Sequence, residues 1–259
     1  MANPQGLSFE RFSTSIPAIP SAPALGPMKR TQTPVTTGTS VLGIRYEGGI
    51  VLAADTLASY GSLLRYRDCT RLHKVNDNTV IACMGDYADF QYLLSIIEQK
   101  AITEDCMDDG FNITARSLHS WLTRVLYNKR CKFDPLWTTF LVAGTDEDDD
   151  GQKKEFLGYV DKLGTAYTDP VIATGYGSML ATPVMREAVE AKTKNGGQLT
   201  EQDAIDIIKN CMTILYYRDA RAHYRYEIAV VPTTGKARIE PPTEIKGDWQ
   251  VAHLIKGYE

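Results

Sequence analysis

No run of 18 uninterrupted apolar residues occurs in the chain, and no apolar segment follows a basic one near its start; neither a membrane-spanning helix nor a secretory signal peptide is expected. Histidine is scarce, at four residues. The five cysteines, Cys69, Cys83, Cys106, Cys131 and Cys211, stand far apart, with no CxxC pair and no metal-ligand spacing to the histidines. No metal site and no cofactor are therefore expected, and an odd set of scattered thiols reads as reduced, the state kept in cytoplasm and nucleus. Positive charge is not in excess either. The 28 Lys and Arg against 32 Asp and Glu give a formal net charge of −4, which argues against a broad nucleic-acid surface.

What the chain does have is enough apolar content for a sizeable core. Its 259 residues, 43% hydrophobic and 23% charged, suit one globular domain with tails. Residues Met1 to Arg30 are set apart by Pro4, Pro17, Pro20, Pro23 and Pro27 among small and polar residues without periodicity. That composition reads as disordered by itself and as a removable leader. The Lys29-Arg30 pair before Thr31 reads, on spacing alone, as solvated charge on a linker. A domain over 31–240 and a C-terminal tail over 241–259 complete the division.

Order begins at Thr39, where two β-branched apolar runs flank a Glu47-Gly48-Gly49 turn and predict a hairpin. Leu72 to Val75 and Thr79 to Met84, joined through Asn76-Asp77-Asn78, predict another. Apolar residues at spacings of three and four predict helices over Tyr87 to Lys100 and Ala115 to Tyr127. Strands are expected at Trp137 to Gly144, Phe156 to Asp161 and Ala166 to Ala173, with the acidic run Asp146 to Asp150 in the first loop between them. That run lacks the ligand spacing of a calcium loop and reads as solvated surface. Helices over Ser178 to Lys192 and Thr200 to Tyr217 follow, the second with a capping-box start, and strands near Tyr226 to Val231 and Lys236 to Ile239 close the domain. The order is α+β, and a four-layer αββα sandwich, two antiparallel sheets each covered by a helix pair, buries every apolar face.

The residues TSVLGIRYEGGIVLAAD from Thr39, then SYGS, GDYADFQ, LGYVD, ATGYGS and YYRDAR, together resemble the proteasome β family over roughly Thr31 to Tyr258. Thr31-Gln32-Thr33-Pro34 ahead of Thr37-Gly38-Thr39, the run Ser59 to Leu63, and Asp134-Pro135-Leu136-Trp137 narrow the likeness to one non-catalytic type of β subunit. The resemblance implies the N-terminal nucleophile hydrolase fold and, in active members, a threonine freed by cleavage after a glycine. A threonine hydroxyl is weakly acidic, and a freed α-amino group, with a pKa of about 7.7–8.0, serves as its base. An aspartate, a lysine and a downstream serine, aspartate and serine organise such a site.

On that pattern Thr39 takes the nucleophile position, Asp55 the first aspartate and Asp219 the second. Arg71 stands where the lysine is expected, Tyr176 and Ala222 where the serines are. Arginine cannot shed its proton or fit a lysine's compact slot. In a silent subunit Asp55 reads better as a turn former and Asp219 as a helix-end or salt-bridge partner of Arg218. The resemblance also implies maturation between Arg30 and Thr31, which would leave Thr39 internal and its nitrogen an amide.

The expectation is thus a non-catalytic structural subunit of the proteasome core particle, serving ATP- and ubiquitin-dependent protein degradation in cytoplasm and nucleus. Its implied partners are the other α and β subunits of a twenty-eight-subunit particle, with assembly chaperones besides, and neither nucleic acid nor membrane. Trp249, Val251, Leu254, Ile255 and Tyr258 are the candidate contacts through which the tail reaches the opposite β ring. The alternative is an active threonine peptidase with Thr39 as nucleophile.

Overall fold

The computed structural model describes residues 33–110, 112–147, 152–194, 196–250, 252–254 and 257. In chain order these form β1 (Thr36–Gly38), β2 (Val41–Tyr46), β3 (Gly49–Asp55), β4 (Ala58–Tyr60), β5 (Leu63–Tyr66), β6 (Leu72–Asn76), β7 (Thr79–Asp86), α1 (Tyr87–Met107), α2 (Ala115–Cys131), β8 (Thr138–Glu147), β9 (Lys153–Val160), β10 (Ala166–Thr168), β11 (Val171–Ala173), α3 (Gly177–Lys194), α4 (Glu201–Arg218), β12 (Arg225–Pro232), β13 (Arg238–Ile239) and β14 (Thr243–Glu244). A short 3₁₀ turn covers Ala252–Leu254.

The alternation of side chains along β2 and β3 builds the layers. Leu42, Ile44, Val51 and Ala53 pack with Met185 of α3 and Ile208 and Met212 of α4. Their neighbours Val41, Ile50, Leu52 and Ala54 point the other way and meet Val80, Ala82, Leu141 and Ala143 of β7 and β8. On the far side of that second sheet, Ile81, Phe140 and Val142 pack with Phe90, Leu93, Leu118 and Leu122 of α1 and α2. Three apolar interfaces between four layers result, the αββα sandwich that the element order predicts. Each fully buried aliphatic side chain contributes about 1.5–3 kcal/mol, so truncating Leu52 or Phe140 at the centre of a layer is strongly destabilising.

All pairings are antiparallel. One sheet has the order β10-β9-β8-β7-β1-β4-β5 with β6 also on β7; the other has β11-β2-β3-β12-β13 with β14 on β12. The Ala166 to Ala173 run, expected as one strand, divides between the sheets: β10 pairs with β9 and β11 with β2. Asp169-Pro170 separates them. Proline has no N–H for a ladder, and the Asp169 carboxylate accepts the Val171 N–H (2.9 Å) to start the new direction.

The helices start where the caps lie. The Thr200 hydroxyl and Asp203 form the expected reciprocal capping box of α4. Asp86 caps α1 through Ala88 and Asp89 N–H, and α1 ends in a left-handed Asp108 (φ 50°). The acidic run is not wholly loop or solvated surface. Asp146 and Glu147 belong to β8, and the Asp146 carboxylate accepts the Ala115 and Arg116 N–H groups, both at 3.0 Å, at the start of α2. Unpaired N–H groups and the positive end of the helix dipole explain that use. Residues 148–150 of the run lie outside the described residues.

Candidate functional site

Arg71 immediately precedes β6, and its stem runs inward between the sheets' ends with only 1% of the residue exposed. A buried guanidinium needs a partner for each of five N–H donors. All five find one. Nε donates to the Asp55 carbonyl (2.9 Å), Nη1 to the Thr39 and Cys83 carbonyls (2.5 and 3.2 Å), and Nη2 to the Ser40 carbonyl (3.2 Å) and Asp55 Oδ1 (2.5 Å). A lysine ammonium has three donors and would leave two of these acceptors bare.

Asp55, at the end of β3, is the counter-ion and more than a turn former. Its Oδ1 also accepts the Leu57 N–H (3.3 Å) and its Oδ2 the His223 N–H (3.0 Å), tying β3 to the segment after α4. Burial pushes the Asp55 carboxyl up, while the Arg71 charge and the two backbone N–H groups act in the opposite direction. The guanidinium cannot give up its proton, so protonating Asp55 would strand a buried charge; the pair holds as an ion pair.

Thr39 lies between β1 and β2, outside any strand, and is half-buried. Its hydroxyl donates to Asp219 Oδ2 at 2.5 Å. Asp219 ends α4, and its Oδ1 accepts the Arg221 N–H (2.9 Å) in a local turn. The three residues before Thr39 are strand β1, paired on both sides. Thr36 and Thr37 face Tyr60 and Ser59 of β4, and Thr37 and Gly38 face Asp86 and Gly85 of β7. The Val35 N–H adds a bond to Asp86 Oδ2 (3.0 Å).

Gly38 has a local reason to be glycine. A Cβ there would stand 2.5 Å from Arg71 Cδ, far inside van der Waals contact. Behind Thr39, the Ser40 hydroxyl accepts the Gly177 N–H (2.9 Å). Tyr176 is exposed on the Gly175-Tyr176-Gly177 turn, whose Gly175 has φ +57°. The Ala222 N–H donates to the Asp219 carbonyl (3.1 Å). Thr39, Asp55, Arg71 and Asp219 thus meet in one connected set, with Tyr176 and Ala222 on its border. Ser40 and Cys83 complete it through their carbonyls and His223 through its N–H, contributions that carry no motif in the sequence.

Chemically the set is a closed network. The Thr39 hydroxyl is engaged by a carboxylate and every N–H of the neighbouring cation is spent. Among the described residues, no group of three or more His, Cys, Asp or Glu is placed to hold a metal, and no helix is long and apolar enough to cross a membrane. A cavity of about 430 Å³ lies by the β2–β3 turn, lined by Tyr46, Glu201 and Arg238 among others, at the opposite end of β2 from Thr39.

The candidate tail contacts are placed unevenly. Trp249 rests against Tyr216 and Tyr217 of α4, with ring centroids 6.0 and 5.1 Å away, and keeps 52% of its surface exposed. Leu254 is exposed. Val251, Ile255 and Tyr258, like Arg30 and Thr31, lie outside the described residues.

Two facing antiparallel sheets between two helix pairs, with a threonine at the entry to the first hairpin and aspartates at positions 55 and 219, define the N-terminal nucleophile class of sandwich. The family model described as "Proteasome subunit" matches residues 35–231, and the chain belongs to that family, whose members assemble into a multi-subunit core particle. It is 47% identical over 237 residues to proteasome subunit beta type-4 of Xenopus laevis, covering 92% of this chain and 94% of that one. It is 43% identical over 223 residues to beta type-4 of Drosophila melanogaster (86% and 80% covered). To the proteasome subunit beta type-7 of Saccharomyces cerevisiae it is 36% identical over 238 residues (90% and 87% covered).

Proposed function

We propose that the chain is a non-catalytic, structural β subunit of the proteasome core particle, of the beta type-4 kind at the seventh ring position. One observation carries the reading: the Gly38–Thr39 peptide bond follows a strand hydrogen-bonded on both sides and lies under the saturated Arg71 guanidinium. Freeing Thr39 as an N-terminus would cut β1 from β2, and the site would still lack a lysine. Maturation instead falls between Arg30 and Thr31, ahead of β1, so that Thr39 keeps an amide nitrogen and has no amine base.

What the subunit contributes is then a folded wedge and a tail. The domain takes its place among α and β neighbours in a twenty-eight-subunit particle, and the tail within 241–259 reaches the opposite β ring and fastens the half-complexes; assembly chaperones act before that. Its five cysteines are free, which suits the reducing cytoplasm and nucleus. In particles carrying Thr39→Ala, every peptidase activity should equal that of the unaltered particle. Loss of one activity would establish the active-peptidase alternative.

A further inference from the structure

The tail does not leave the domain at residue 241. β14 pairs with β12, Arg225 facing Glu244 and Tyr226 facing Thr243, and the Ile245 N–H donates to the Tyr224 carbonyl (2.7 Å). The chain then passes Gly247, where a Cβ would stand 2.9 Å from both Trp249 Nε1 and Tyr216 Cε1. The Asp248 N–H donates to the Tyr217 hydroxyl (2.6 Å), and the Gln250 N–H to Asp248 Oδ1 (3.0 Å). Trp249 meets both tyrosine rings nearly edge-on, at 74° and 71°, the geometry in which aromatic pairs attract. The Ala252 N–H returns to the Trp249 carbonyl (3.0 Å) and closes the turn.

We infer that Trp249, seated on Tyr216 and Tyr217, is the anchor of the tail, a positioning residue that fixes where and in what direction the last nine residues depart. This rests on the reading of the tail as a fastener between rings. Trp249 acts through this seat on its own α4, with half of its surface left open, and the segment that reaches onward is residues 251–259. A tail tethered at its root loses less conformational freedom on binding than one free from residue 241 would. Half of the Trp249 surface and Leu254 stay exposed beside this seat.

The experiment compares joining of half-complexes into full particles for three full-length forms of the subunit, unaltered, Trp249→Ala and Trp249→Phe, and for a truncation lacking residues 251–259. Trp249→Ala should slow joining by roughly tenfold, the scale of a lost aromatic anchor. Trp249→Phe, which keeps a ring between the tyrosines, should restore most of it, and incorporation into half-complexes should be the same for all four. The Tyr216→Leu, Tyr217→Leu pair should reproduce the Trp249→Ala defect. Normal joining by Trp249→Ala beside a defective truncation overturns the anchor and leaves the tail reading standing. Normal joining by the truncation as well overturns both.

Discussion

The Arg71 stem crosses Gly38 so closely that a methyl group on Gly38 would stand 2.5 Å from Arg71 Cδ. The glycine before Thr39 therefore has a packing role that does not depend on cleavage. Gly38→Ala should destabilise the subunit by about 1–3 kcal/mol, the cost of overpacking a filled site. In an Arg71→Ser background the penalty should fall toward zero, since the clashing atoms are gone. Paired denaturation midpoints measure the coupling, and equal penalties in both backgrounds would contradict the relationship.

Arg71 and Asp55 should fail together. Asp55→Asn leaves the guanidinium without its counter-ion and should cost about 3–5 kcal/mol, as breaking buried ion pairs does. Arg71→Lys retains the charge but strands two acceptors, for about 2–4 kcal/mol. Neither variant should gain peptidase activity. A stable Arg71→Lys subunit would show that the five-fold coordination is dispensable.

Asp146 offers a test away from the site. Its carboxylate holds the first two N–H groups of α2, so Asp146→Ala should cost about 1–2 kcal/mol, whereas alanine at the neighbouring Glu147 should be neutral within ~0.5 kcal/mol. Thermal midpoints of the two variants measure the difference; equal midpoints would return the acidic run to plain solvated surface.

His223 gives a pH dependence. Burial holds its imidazole below the ordinary 6.5, with Asp55 pulling the other way. The unfolded chain then binds the proton more readily than the folded one, so this contribution to stability is whole above pH 6.5 and is lost as pH falls below it. Replacing the imidazole in His223→Gln should flatten the decline in denaturation midpoint between pH 7.5 and 5.5. A parallel decline in both proteins would assign it to other groups.

Much of this architecture is legible in the residues because it rests on local rules. The Gly48-Gly49 hairpin, the Thr200–Asp203 capping box and the period-three-and-four faces of the helices are written in neighbours along the chain. β1, β4 and β5 are not, since three- and four-residue strands show no period and take their place only by pairing with distant partners. The same holds for the division of Ala166 to Ala173, where Asp169-Pro170 was visible but the second sheet was not. At the site, Thr39, Asp55, Arg71 and Asp219 follow from the family resemblance. Their closure by the carbonyls of Ser40 and Cys83 and the N–H of His223 does not, because backbone groups belong to every residue alike. Trp249 reads in sequence as a contact to another subunit, and only the placement of Tyr216 and Tyr217 in three dimensions gives it a seat on its own domain.

Thr39, half-buried behind a paired β1, should never become an N-terminus. The intact mass of the mature chain, taken from assembled particles treated with an electrophilic epoxyketone, decides the point. The mass should correspond to a start at Thr31 with no adduct, while a start at Thr39 carrying a covalent adduct would make the subunit an active peptidase.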